Sequence, residues 1–299
     1  MNHELKTIGG AKMKVLVTGY AGQLGWDTVR QLEARGIECR GVDMQDFDLT
    51  DSQSVREYVQ SYRPTAIVHC AAYTNVDKAE SQPEICAAVN GMGTVNIVRA
   101  ALSVGAKLVF ISTDYVFPGT GNEPFKIDDR YGPLNVYGMS KVQGEDAVRS
   151  LMTRYFILRT SWVFGKNGHN FVRTMLRLGS ERKEIRVVSD QIGSPTYTKD
   201  LARVICDMLS TDKYGIYHVR NEGFLSWYDF AKMIMDKSGL RCRVVPVPSS
   251  EYPTPAKRPL NSRLDGSRLA EAGFEPMPSV ENALDRYLDE IRDEIPVHN

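Results

Sequence analysis

The sequence has no excess of charge: 37 basic residues balance 37 acidic ones in 299. A chain so balanced has no field with which to gather nucleic acid or an anionic membrane, and neither is expected as a partner. It also lacks an apolar run approaching the roughly eighteen residues needed to cross a bilayer. Residues 1–12 hold no apolar stretch of the kind a secretory signal carries, and read as a tail or a cloning remnant. Cysteine is sparse: Cys39, Cys70, Cys86, Cys206 and Cys242 are odd in number and form no C-x-x-C pair. Buried thiols in a reduced, cytoplasmic protein are the expectation. The five histidines are scattered without metal-ligand spacing, so no metal site is expected. Repeats, low-complexity tracts and a clear linker are absent too.

What is there is alternation. Short apolar runs at 14–18, 37–42, 65–72, 107–112 and 155–160 read as strands. Amphipathic stretches from after Gly25 to near Gly36, and over 52–62, 83–104 and 137–149, read as helices between them. Repeated strand–helix units predict an α/β fold, a doubly wound parallel Rossmann sheet. The second half is less regular. Helices are expected at 171–180 and 198–209, from Ser226 as cap to 237, and from Ser279 as cap to about 293. Strands are expected at 215–219 and 241–247, with a proline-rich loop at 246–259. The expected division is a dinucleotide-binding domain over 13–170, rejoined at about 200–220. A smaller, interwoven α/β substrate-binding lobe over 171–299 completes it.

Two patterns carry chemistry. Tyr137 and Lys141 lie four apart, one turn apart on a helix face. A phenol titrates near 10, and an ammonium beside it is expected to lower that value. Such a tyrosine can protonate a carbonyl oxygen as hydride reaches its carbon. A hydride carrier is then required. Gly19-Tyr20-Ala21-Gly22-Gln23-Leu24-Gly25 follows an apolar strand and opens a helix, the layout that sets a pyrophosphate on a helix N-terminus. Gly19 would permit the turn, Gly22 a close approach of phosphate, and Gly25 packing of helix on strand. Asp43, at the next strand end, can take the adenosine ribose hydroxyls and repel a 2′-phosphate. NADH is therefore favoured, while Arg40 and lysines elsewhere leave NADPH open.

Several segments in order carry a family likeness. These are Gly19 to Gly25, Ala71-Ala72-Tyr73-Thr74-Asn75-Val76-Asp77-Lys78-Ala79-Glu80, Ser112-Thr113-Asp114-Tyr115-Val116-Phe117, and Pro133 to Gly138 with Lys141. Arg159-Thr160-Ser161-Trp162-Val163 and Tyr252 to Leu264 complete them. Together, from Met13 to about Arg286, they resemble the dTDP-4-dehydrorhamnose reductases, which are extended short-chain dehydrogenase/reductases. The resemblance implies reduction by NAD(P)H of the 4-keto group of dTDP-4-dehydro-β-L-rhamnose to dTDP-L-rhamnose. That is the last step in making activated rhamnose for bacterial surface polysaccharide.

It also implies roles. Thr113, with Tyr137 and Lys141, would be catalytic, its hydroxyl orienting the substrate carbonyl. Tyr137 and Lys141 would also contact the nicotinamide end of the cofactor. Gln23 and Leu24 would touch the cofactor in the glycine turn, Asp48 and Leu49 would flank adenine, and Ala72, Tyr73 and Thr74 would line its bed. Asp114 and Trp162 would contact the sugar, and Arg258 would pair with the diphosphate. In Gly193-Ser194-Pro195-Thr196-Tyr197-Thr198-Lys199 no carboxylate appears before Asp200, so a metal-bridged dimer is not expected, though a homodimer is allowed. Two alternatives stay open. One is a cofactor-binding scaffold without catalysis, like the animal relative that serves methionine adenosyltransferase. The other is an epimerase, dehydratase or reductase of a different nucleotide sugar.

Overall fold

Unbroken apolar runs decide the sheet, because a parallel strand is covered on both faces. In the computed structural model, residues 7–8 and 11–295 are described. The expected tail, 1–12, falls mostly outside them. Within it, β1 (Thr7–Ile8) pairs antiparallel with β2 (Ala11–Lys12). The first half then runs β3 (Lys14–Thr18), α1 (Gln23–Ala34), β4 (Glu38–Val42), α2 (Ser52–Tyr62), β5 (Ala66–His69), α3 (Val76–Ser81) and α4 (Pro83–Ala87). A π-helical turn at Ala88–Met92 leads into α5 (Gly93–Val104), β6 (Lys107–Thr113), α6 (Val136–Leu151) and β7 (Tyr155–Thr160).

The second half runs β8 (Val163–Phe164), α7 (Phe171–Glu181), β9 (Glu184–Val188), β10 (Ile192–Gly193), β11 (Thr196–Tyr197) and α8 (Thr198–Leu209). It continues through β12 (Gly215–His218), β13 (Leu225–Ser226), α9 (Trp227–Ser238), β14 (Arg243–Val247), β15 (Asn261–Ser262), α10 (Ser267–Glu271) and α11 (Val280–Glu290).

The main sheet is parallel and six-stranded, in the order β12-β7-β6-β5-β3-β4. Val15, Leu16 and Val17 of β3 are fully buried. Val15 and Val17 face a core shared by α1 and α8, and Leu16 faces one shared by α2, α5 and α6. From β3 the chain steps outward to β4, then returns to β5 on the other side. The strand order reverses there, and the ends of β3 and β5 open a crevice where ligands bind in such sheets.

A second core belongs to α7, α9 and α11 around the parallel pair β9–β14, with Phe164 and Tyr197 at its centre. Three short strands form a further sheet in the order β13-β10-β15, and β8 pairs with β11. The helix expected over 83–104 forms, but with the π turn inside it. As one 22-residue unit it is long and apolar enough to cross a membrane, yet more than half of its most apolar window is buried. The expected strand 65–72 stops at His69. Residues 70–75 leave the sheet there.

Candidate active site

The glycine turn is built by exclusion. Gly19 has φ +69°, and a Cβ there would stand 2.6 Å from the Ala71 amide nitrogen. Only glycine meets both demands. Gly22 is the N-cap of α1 and no side chain caps that end. The free N–H groups of a helix start therefore face the crevice, as a pyrophosphate requires. A Cβ on Gly25 would lie 2.2 Å from the Gly19 carbonyl oxygen. Gly25 thus lets the helix close on the turn itself, not on the strand as the sequence suggested. Asp43 accepts from the Ala21 and Met44 amides, both at 2.9 Å, and so staples the turn to the end of β4.

Across the sheet, Asn135 caps α6 by accepting from the Gly138 amide at 2.8 Å. Gly138 lets the first turn of α6 press on the short helix after β6, since a Cβ there would meet the Tyr115 carbonyl oxygen at 2.3 Å. That contact brings Tyr137 to Thr113. The Thr113 hydroxyl accepts from the Tyr115 amide at 3.2 Å and donates to Asp114 Oδ1 at 3.0 Å. The Tyr137 ring stands edge-on to Tyr115, centroids 5.7 Å apart.

The electrostatics correct one expectation. Burial first, then the Asp114 carboxylate, push the Tyr137 phenol above its ordinary value, and the hydrogen bond with Thr113 only partly opposes them. Lys141 is not among the largest influences on it in this state. The lysine is itself buried and its ammonium lies 4.1 Å from the Phe110 ring centroid. Burial pulls it down to about 8, against the opposing charge of Glu145. Tyr137 is therefore protonated at neutral pH, the form a donor needs, while burial makes it a weaker acid than a free phenol. Burial raises the Asp114 carboxyl to about 6, and its Oδ2 has no hydrogen-bond partner.

One cleft of about 750 Å³ gathers most of the expected residues. Gly19, Gly22, Gln23, Leu24, Asp43 and Leu49 line it, as do Ala72, Thr74, Lys141, Thr113, Asp114, Tyr137 and Trp162. Three expected residues lie elsewhere. The Tyr73 hydroxyl donates to Gln82 Oε1 at 2.9 Å and its amide to Asn90 Oδ1 at 2.7 Å, so the ring turns toward α4. The Asp48 carboxylate accepts from the amide and hydroxyl of Thr50, both at 2.8 Å, and caps its own loop. Arg258 is not among the lining residues; it donates to Asp77 Oδ2 at 2.7 Å and to the hydroxyl of Tyr115, which does line the cleft, at 3.2 Å.

Sequence reading missed other lining residues. Trp227 stacks on Trp162 with centroids 3.5 Å apart and planes 10° apart, and both face the cleft. Trp162 adopts φ +50°, a strained value for a bulky residue at a site. An aromatic directly after the Ser226 cap was the available signal. Gly168 and His169 also line the cleft, on a loop whose Asn167 donates to the Ala21 carbonyl at 2.7 Å. Asp200 is engaged by Arg286, at 2.8 and 2.7 Å, and by Asn221 at 2.8 Å. Among the described residues no group of three or more His, Cys, Asp or Glu side chains is placed to hold a metal ion.

Known proteins are similar to this chain in sequence and in fold. The spore coat polysaccharide biosynthesis protein SpsK of Bacillus subtilis is 44% identical over 277 residues, 93% of this chain and 97% of its own length. The dTDP-4-dehydrorhamnose reductase of Escherichia coli is 39% identical over 293 residues, 93% of this chain and 98% of its own. The crystal structure of dTDP-4-dehydrorhamnose reductase from Bacillus anthracis in complex with NADP is 44% identical. It matches with a TM-score of 0.91 over 94% of this chain and all of that one. The family model described as RmlD substrate binding domain matches residues 13–293, and the chain belongs to that family.

Proposed function

We propose that the protein is a nicotinamide-dependent reductase that converts dTDP-4-dehydro-β-L-rhamnose to dTDP-L-rhamnose. The observation that carries this reading is the convergence of Thr113, Tyr137 and Lys141 with the glycine turn in one cleft. The relatives named dTDP-4-dehydrorhamnose reductase supply the substrate. The uncapped start of α1 and the side-chain-free turn at Gly19 fit a dinucleotide's pyrophosphate.

When bound, the reduced nicotinamide supplies hydride to the ketone carbon. Gly19, Gly22 and the α1 amides hold the dinucleotide, and Lys141 holds its nicotinamide ribose. The Thr113 hydroxyl orients the ketone oxygen and strengthens its contact as charge grows there. Tyr137 gives its proton to that oxygen, and the Lys141 ammonium stabilises the phenolate left behind. Trp162, backed by Trp227, offers a flat face to the sugar, and the unpartnered Asp114 Oδ2 can accept a sugar hydroxyl.

NADH is the proposed preference. Arg40, the arginine the sequence offered for a 2′-phosphate, lies instead 4.6 Å from the Tyr62 ring centroid. The test follows NADH and NADPH oxidation with enzymatically generated dTDP-4-dehydro-L-rhamnose. Turnover is expected with wild type, faster with NADH. Tyr137→Phe should lower kcat by about 10²–10⁴-fold with cofactor affinity retained. No wild-type turnover with cofactor bound, or full activity in Tyr137→Phe, would overturn the reading.

A further inference from the structure

A carboxylate stays in a protein interior only where it is paired and fully bonded. Glu145 is fully buried, and so nearly is Arg159 at 1% exposure. Both carboxylate oxygens are doubly engaged. Oε1 accepts from the Ser112 hydroxyl at 2.5 Å and Arg159 Nε at 2.9 Å. Oε2 accepts from the Tyr131 hydroxyl at 2.6 Å and Arg159 Nη2 at 2.7 Å. The other Arg159 donors reach the Ile127 carbonyl, at 2.9 Å, the Tyr131 hydroxyl, at 3.2 Å, and His218.

Stability alone is a weak reason for such a pair, since apolar side chains of the same volume serve a core as well or better. Its position supplies another. Tyr137, Lys141 and Glu145 follow at four-residue steps along one face of α6. Ser112 immediately precedes Thr113 on β6, and Arg159 is its register partner on β7. One carboxylate therefore joins the helix that carries two members of the proposed catalytic set to the strand end that carries the third.

We infer that Glu145 is a positioning residue of the reaction proposed above: it fixes Thr113 relative to Tyr137 and Lys141. This rests on that reading of the cleft. Lys141 is faced by few other charges. Cys70 after β5 and Cys86 on α4 are thiols that burial raises, and His69 on β5 is held neutral by burial and by Lys141. The Phe110 ring on β6 covers the ammonium. Glu145 is the largest influence opposing burial at Lys141, which titrates at about 8. Removing that charge must lower the value further, so the basic limb of activity moves to lower pH.

The test compares Glu145→Gln and Ser112→Ala with wild type in kcat, KM and the pH profile of kcat/KM. Ser112→Ala removes the tether hydroxyl and leaves the Glu145 charge in place, although Ser112 also lines the cleft. It should lower kcat by about tenfold or more, with cofactor KM and the basic limb unmoved. Glu145→Gln should lower kcat and shift the basic limb down by about half a pH unit or more. Should Glu145→Gln not fold, Ser112→Ala decides by its kcat. Wild-type kcat in Ser112→Ala, or an unshifted basic limb in folded Glu145→Gln, overturns the inference. The pH dependence of NADH binding, read by quenching of tryptophan emission, reports Lys141 without turnover. An absent wild-type activity would therefore count against the reductase reading, and an unshifted binding profile against Glu145.

Discussion

Gly25 shows how much a single hydrogen in place of a methyl can decide. The atom that a Cβ would strike is the Gly19 carbonyl oxygen, at 2.2 Å, and it belongs to backbone that β5 hems in on the other side. Neither neighbour can rotate away, so Gly25→Ala must displace the turn. The expected result is at least a tenfold rise in the Kd for NADH, on the scale of a lost phosphate cradle. A titration of tryptophan emission measures it, and an unchanged Kd would count against the turn as the cofactor's seat. Gly22→Ala, whose Cβ would sit 3.3 Å from the same oxygen, should do less. The need for three glycines was legible in the sequence. Which atom each one spares was not, because that depends on the closure of β3 against β5. The Tyr137 phenol is similar: its spacing from Lys141 was visible, whereas the Asp114 carboxylate that helps raise it is brought in by the short helix after β6.

Elements with strong local signals were the most legible. The sequence placed α2, β7 and α8 at their observed limits, because each has a periodic apolar face or a continuous apolar run. The two-residue strands β8, β10, β11, β13 and β15 have no period to read and exist only through their partners. The π turn was hidden likewise, since buried Asn90 earns its place by bonding the Tyr73 backbone through Oδ1 and Nδ2. α9 is the reverse case, set by its own first turn. Ser226 accepts from the Asp229 amide at 2.9 Å, and the Asp229 carboxylate accepts from the Ser226 amide at 3.2 Å. Trp227 is the next residue, so this capping box also sets the indole that backs Trp162. Ser226→Ala should cost about 1–2 kcal/mol, because Ser226 is buried and water cannot replace it. Thermal unfolding followed by circular dichroism should show Tm lower by about 2–4 °C. A shift below one degree would mean that tertiary contacts, not the cap, hold the start of α9.

At the scale of the whole molecule, the proposed division into a dinucleotide-binding domain over 13–170, rejoined near 200–220, and a substrate lobe over 171–299 has a physical consequence. The two are not separable by one cut. Leu201, Ala202, Val204, Ile205, Cys206, Met208 and Leu209 of α8 fill the core face that α1 and β3 present. Tyr217 and Val219, at and just beyond β12, and Leu269, Phe274 and Met277 near the C-terminal end complete that same core. At about 1.5–3 kcal/mol for each large apolar side chain buried, α8 alone contributes on the order of the net stability of a domain. A fragment of residues 13–170 would expose this face and leave β7 as an open sheet edge. It should aggregate or remain uncooperative, with no sigmoidal melt and no quenching by NADH. The intact chain should unfold in one transition that NADH moves upward, by linkage to the folded state alone. A fragment that melts cooperatively and binds NADH would show instead that the first 170 residues close their own core, and that α8 and β12 are additions to a finished domain.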